Sequence, residues 1–235
     1  MTRIRFQQSL ENLKEQLLVM AGLAEQAVQR AIEAYRERDL SICDQVSRGE
    51  IDINLLERNI DQAALDLLAM EQPMAGDLRF ILSVIKINAE LERVGNAAKT
   101  ISDRTRNMEK MAVAELPVNI PRMAELASEM VRKSLQAFIE ADAEAARSIL
   151  TMDDAVDAMN KAAFKSLIKV MEEQSHLAPQ ALNALMISRA LERVADHATN
   201  IAEDVIFWVQ GDDVRHHKSL YILQEQQDKS GTTAS

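Results

Sequence analysis

Residues 87–101 of this 235-residue chain recur one hundred positions later, as residues 187–201. Seven of the 15 positions are identical: Ile87/Ile187, Leu91/Leu191, Glu92/Glu192, Arg93/Arg193, Val94/Val194, Ala98/Ala198 and Ile101/Ile201. A block repeated at a domain-sized interval is a strong constraint on the fold, because each copy must be one supersecondary unit with the same buried face. In both copies the apolar residues fall at steps of three and four, the stripe of an amphipathic helix.

The same period runs through the rest of the chain. Leu10, Leu13, Leu17, Met20, Ala24, Ala27, Ala31 and Ala34 predict a helix over residues 3–38. Asp39 is placed to cap a second helix that relaxes near residues 47–49 and continues through Ile53, Leu56, Ile60, Ala64 and Leu67 to residue 70. Pro73 and Gly76 mark a turn, and Asp77 a cap for a third helix reaching about residue 110. Residues 111–121 hold two of the four prolines and read as a linker. Three more helices are expected: 120–139, 142–173 with a relaxation near 151–154, and one from Pro179 to Gly211. The whole chain has six glycines and four prolines, too few for turn-rich sheets or glycine-loop nucleotide folds. The expected architecture is all-α: two tandem, similar three-helix bundles, residues 1–113 and 118–212. A polar tail over 213–235 follows, in which the patch 220–223 can dock on the body.

Charge and composition remove several partner classes. With 27 basic and 37 acidic residues the net charge is −10, so nucleic acid and anionic lipid are poor partners. Aromatics at 3% leave no stacking platform for single strands. Cys43 is the lone cysteine, so no internal disulfide forms and a reducing cytoplasm is the natural compartment. QQSLENLKEQ stands where a signal peptide would need its apolar stretch, and no apolar run is long enough to span a bilayer.

The repeated block carries a second pattern. Glu92, Asn96, Lys99 and Asp103 share one polar strip, and Glu192, Asp196, Thr199 and Glu203 share the equivalent strip, roughly 130° around the helix from the apolar stripe. A solvated face has the same period. Like charges one turn apart nevertheless cost a few tenths of a kcal/mol. Oxygen ligands at that spacing also suit a cation held between helices. The candidate metal ligands are therefore Glu92, Asn96 and Asp103 in the first half, and Glu192, Asp196 and Glu203 in the second. Glu57 and Asp61 repeat the spacing on a neighbouring helix. The strip of the second half is the more acidic, and Lys99 competes for Glu92 and Asp103, so any metal should favour the second half.

The stretches INAELERVGNAAKTI, ISRALERVADHATNIAEDVIFWVQG, QPMAGDLRF and GDDVRH together resemble the PhoU family of phosphate regulators, from about residue 5 to His216. The resemblance implies two similar three-helix bundles. It also implies a non-enzymatic negative regulator of phosphate uptake and of the phosphate-starvation response. The implied partners are a phosphate-specific ABC transporter ATPase and its sensor histidine kinase, with the chain itself a homodimer. The resemblance further implies metal sites, since some members bind metal ions or iron clusters at Glu/Asp-xxx-Asp motifs, which fall here on Glu92–Asn96 and Glu192–Asp196. Asn96 departs from that pattern and puts the first site in doubt.

Two other classes compete with this reading: a metal-dependent helical-bundle oxidoreductase and a metal-free helical scaffold. Redox iron sites in bundles usually include histidine. This chain has four, His176, His197, His216 and His217. Glu173 and His176 have a Glu-xx-His spacing, but only once and at a helix end, which reads as coincidence. Ser83, Ser134 and Ser166 have no nearby histidine in sequence, so a catalytic triad is unsupported.

Overall fold

The computed structural model describes residues 3–215; His216, His217, the patch 220–223 and most of the expected tail lie outside the described residues. Three long helices form the first half: α1 (Arg3–Glu37), α2 (Leu40–Glu71) and α3 (Ala75–Met108). The second half holds α4 (Ile120–Glu140), α5 (Ala143–Ile149), α6 (Asp153–Glu173) and α7 (Ala178–Gln210), with a 3-10 turn at Ser175–Leu177. The fold is thus all-α, two tandem helical bundles, as the repeat predicts.

Most boundaries follow local chemistry. Asp39 caps α2 by accepting from the Ser41 amide at 2.7 Å. Asp142 caps α5 through the amides of Glu144 and Ala145. Pro121 and Pro179 sit in first turns, where no helical N–H is lost. Gly211 closes α7 with φ +82, a left-handed position that favours glycine. Asp77 is not the cap of α3; it lies in the first turn, and Met74 holds the cap position without a side-chain bond.

One expectation about α2 is corrected, and the relaxation expected near residues 151–154 in its counterpart is a full break. The helix does not relax at 47–49, because Val46 and Ile53 on either side are both buried and hold it on the core. The helix expected over 142–173 is two helices. Ser148 Oγ and Thr151 Oγ1 bond back to the carbonyls of Ala145 and Ser148, offering the backbone an alternative to helix. Asp153 and Asp154 then favour a fresh N-terminus.

α3 and α7 form the centre and run antiparallel. Arg79 Nε donates to the Trp208 carbonyl at 3.3 Å, Ser83 Oγ to the Asp204 carbonyl at 3.0 Å, and Glu90 meets His197 further along. Where the halves meet, Phe80 stacks on Phe138 and Trp208 packs tilted against both. One apolar core runs through both halves, with a smaller cluster of Ala163, Leu167, Val170, Ala181 and Ala184 between α6 and α7. The stretch Asp77–Phe80, singled out in the sequence, is therefore part of the clamp on the end of α7.

Candidate functional site

The core register sets which polar residues face each other across helix pairs. Ile53, Ile60, Ala64 and Leu67 of α2 are buried, and so are Val156, Ala163, Leu167 and Val170 of α6. The offset is a constant 103 residues. By that register Glu50 corresponds to Asp153 and Asn54 to Asp157, while the block repeat pairs Glu92 with Glu192 and Asn96 with Asp196.

In the second half, Asp153 and Asp157 of α6 bring carboxylate oxygens within 4.8 Å of Asp196 on α7. Among the described residues this is the group of three acidic or metal-ligating side chains that converges so closely. Burial pushes the Asp196 carboxyl up to about 6, and the charges of Glu192, Asp153 and Asp157 push the same way, with His197 opposing. Glu192 is likewise raised, by burial and then by Asp157. Lys161 reaches Asp157 at 3.2 Å from the solvent side, with a side chain 74% exposed. A pair that open contributes little and does not close the corner. These carboxylates repel each other and offer oxygen donors alone, the chemistry of a hard divalent cation.

The corresponding corner of the first half is occupied by its own donors. Asn54 Nδ2 donates to Glu50 Oε1 at 2.9 Å, and Asn96 Nδ2 to Glu92 Oε1 at 2.5 Å. Lys99 Nζ lies 3.3 Å from Glu50 Oε2. Glu57 is raised by burial, then by Glu92 and Asp61, against Arg93. Asp61 accepts from Asn88 Nδ2 at 2.9 Å. This set fits a metal poorly: amide and ammonium hydrogens point at the carboxylates that would have to bind it.

Of the residues nominated from the sequence, Asp196 thus meets Asp153 and Asp157, Glu192 feels the charges of both, and Glu92 and Asn96 meet each other. Asp103 is exposed and its charge is felt by Arg106. Glu203 is near enough to raise the pKa of Arg215, beyond the end of α7. Sequence reasoning missed Asp153 and Asp157. Their Asp-xxx-Asp spacing on a buried-stripe helix was available, but it stood in the segment read as a relaxing helix.

His197 turns away from the acidic corner. Its Nδ1 lies 2.7 Å from Glu90 Oε2 across the α3–α7 seam, and Asn200 donates to the same oxygen at 3.0 Å. Burial alone would raise Glu90, but the bonds from His197 and Asn200 hold it below its ordinary value. Arg93 completes the cluster at 2.6 Å from Glu90 Oε1. Lys86 and Asp204 form a second seam pair at 3.0 Å. The histidine is structural, a tie between halves.

The chain was compared with known proteins. The family model "PhoU domain" matches residues 17–105 and again 120–205. A curated relative in Pseudomonas aeruginosa, a phosphate-specific transport system accessory protein PhoU homolog, is 36% identical over 230 residues, 97% of this chain and 94% of its own. The phosphate-specific transport system accessory protein PhoU of Escherichia coli is 33% identical, over 90% of this chain and 88% of its own. Among solved structures, PhoU from Pseudomonas aeruginosa superposes with a TM-score of 0.84 at 36% identity, covering 88% of this chain and all of that one. The phosphate transport system regulatory protein PhoU from Streptococcus pneumoniae superposes with a TM-score of 0.82 at 27% identity, over 89% of this chain and 99% of that one.

Proposed function

Because the chain belongs to the PhoU family, we propose that it is an accessory protein of phosphate transport that restrains phosphate uptake and keeps the starvation response off when phosphate is plentiful. The observation that carries this reading is the extent of the similarity: both halves match the domain, and relatives align along nearly their whole length. On this reading the protein regulates by contact and catalyses nothing. Its contacts are the ATPase of a phosphate-specific ABC transporter and a sensor histidine kinase, met in the cytoplasm. Among the described residues no helix is long and apolar enough to cross a membrane; on this reading the protein meets the membrane through the transporter. Homodimer formation is part of the proposal. Ile51, Leu55 and Leu65 are exposed on one face of α2, an apolar stripe of the kind that pairs.

The test is a clean deletion of the gene with phosphate-uptake transcripts measured in rich phosphate. Constitutive expression is expected; unchanged expression and unchanged internal phosphate would refute the assignment. Pull-down of the ATPase and the kinase with the full chain checks the partners, and light scattering checks the dimer.

The second half adds a cation to this reading. Asp153, Asp157 and Asp196 would hold a divalent ion, with the Glu192 charge beside them, and the ion's charge would offset their repulsion and tie α6 to α7. An iron cluster would meet the same oxygens. The converging group consists of three aspartates and no imidazole, and His197 bonds Glu90 through Nδ1, so the donor set weighs against the oxidoreductase alternative. Equilibrium dialysis against Mn2+ tests the site; full retention of uptake after Glu192→Gln with Asp196→Asn would remove it.

A further inference from the structure

After Gly211 the chain turns back onto the body. The Arg79 guanidinium lies 3.7 Å from where a Cβ on Gly211 would stand, and Arg147 of α5 lies 3.8 Å from the Asp212 carboxylate. Val214 is partly buried against the core. Arg215 Nε donates to Asp213 at 2.7 Å, and Arg215 also feels the charges of Glu203 and Asp204, about two turns back along α7. Asp213 in turn feels Lys86 of α3. The chain at residue 215 thus stands over the α3–α7 seam, near the Lys86–Asp204 pair.

Beside that point α3 leaves an apolar stripe open. Leu78, Leu82, Ile85 and Ala89 follow at steps of four, three and four. They lie between the side of α3 that meets α2, marked by the Asn88 bond to Asp61, and the side that meets α7, marked by Ser83 and Lys86. Leu78 and Leu82 are each 37% exposed, and Ile85 and Ala89 are partly so. Phe207 of α7 borders the stripe, with the Lys86 ammonium 4.9 Å from its ring centre. Residues 216–235 hold one apolar run, Leu220, Tyr221, Ile222 and Leu223. It begins five residues past Arg215, a reach of up to about 17 Å. From Lys86 to Leu78 the helix spans about 12 Å, so the whole stripe is within range.

We propose that this stripe is the docking site of the chain's own C-terminal segment, which crosses the α3–α7 seam and lays residues 220–223 against Leu78, Leu82 and Ile85. Two observations favour the chain's own segment over a second copy. Its root is already held beside the stripe, so the tethered run meets it at an effective concentration that dilution does not lower. The stripe is also small: three partly exposed side chains fall far short of the about 800 Å² per partner that a stable interface between chains buries. The segment leaves from the end of α7 and docks on α3, so it straps the second half to the first and keeps an apolar face of α3 from water.

The test is disulfide closure in the full-length chain carrying Leu82→Cys and Ile222→Cys, oxidised mildly in dilute solution, with circular dichroism to confirm folding. Cys43 is fully buried and does not compete. The pair should close within one chain. Adding Tyr221→Ser and Leu223→Ser keeps the tether and removes the apolar run, and should slow closure by about tenfold or more. An unchanged rate means that the tether alone brings the two together, and overturns the proposal. No closure overturns it too, and a disulfide that joins two chains names a second copy as the occupant and does the same. If the Leu82→Cys chain fails to fold, binding of an apolar dye decides. Tyr221→Ser, Ile222→Ser and Leu223→Ser together should raise dye binding by uncovering the stripe, and adding Leu78→Ser with Leu82→Ser should lower it again. No rise in the first of these variants overturns the proposal.

Discussion

Midway along each bundle an aliphatic side chain of one helix faces a small residue of the next, and the two halves divide the volume differently. In the first half Ile53 lies against Gly95, where an added Cβ would come within 2.9 Å of Ile53 Cδ1. In the second half the same positions hold Val156 and Ala195, both fully buried. One methyl group has moved across the interface with the total nearly kept, which is the exchange a close-packed core tolerates best. In the polar corner beside it Glu92 is kept as Glu192, but Asn54, Asn96 and Lys99 stand where the second half has Asp157, Asp196 and Thr199. The comparison teaches that packing holds the two bundles to one backbone while the polar corner beside it is free to take a different charge.

The sharpest way to break the comparison is to neutralise each corner. Glu192→Gln with Asp196→Asn should weaken Mn2+ binding by about tenfold or more, equivalent to about 1.4 kcal/mol or more. Glu92→Gln should leave it near wild type, because that carboxylate already has Asn96 as its partner. Isothermal titration of both proteins checks this, and equal losses would erase the asymmetry.

The packing exchange is tested by Gly95→Ala, expected to cost about 1–3 kcal/mol through overpacking against Ile53. Adding Ile53→Val recreates the second half's pair and should recover most of that loss. Urea unfolding of the single and double variants measures it; a double variant no more stable than the single would show that the two interfaces are not equivalent.

Without metal, Asp196 should be a stability liability that depends on pH. Its carboxyl ionises at about 6 when folded against an ordinary 3.8. Between those values the folded chain binds the extra proton, so stability falls as pH rises through the window. Solvent screening of this partly open corner leaves an expected gain of about 1 kcal/mol for Asp196→Asn at pH 7.5. The gain should shrink towards zero below pH 4. Chemical denaturation in chelator at several pH values gives the curve, and a gain that is flat with pH would refute the mechanism.

The smallest effect concerns the unbroken α2 against the broken α5–α6 pair. Gly49 lies within α2 with nothing inside 4 Å of an added Cβ. Gly49→Ala should therefore stabilise the chain by about 0.5–1 kcal/mol. Thermal unfolding that shows a loss would mean the helix needs the relaxation the sequence suggests.

How much of this was legible before any coordinates follows from the range of the signal. The long helices, the linker, the cap at Asp39 and the stop at Gly211 rest on spacings of three and four residues and on single-residue backbone preferences. The repeat likewise located Glu192 and Asp196, because both lie on the helix that carries the shared block. Even the break at 150–152 left a trace in Ser148, Thr151 and the two aspartates after them. What those local rules cannot carry is the register of one helix against another. Glu203 and Asp196 look alike on a helical strip, yet only Asp196 meets Asp153 and Asp157, because the buried row from Val156 to Val170 sets which turn of α6 faces which turn of α7. His197 looks like a stray neighbour of the acidic pair until the antiparallel packing of α3 on α7 brings Glu90, 107 residues away, to within 2.7 Å. Helix identity was determined by the sequence read over a few turns. Which acids converge was decided by side-chain volumes packed across interfaces, a property of the assembled core and not of any one segment.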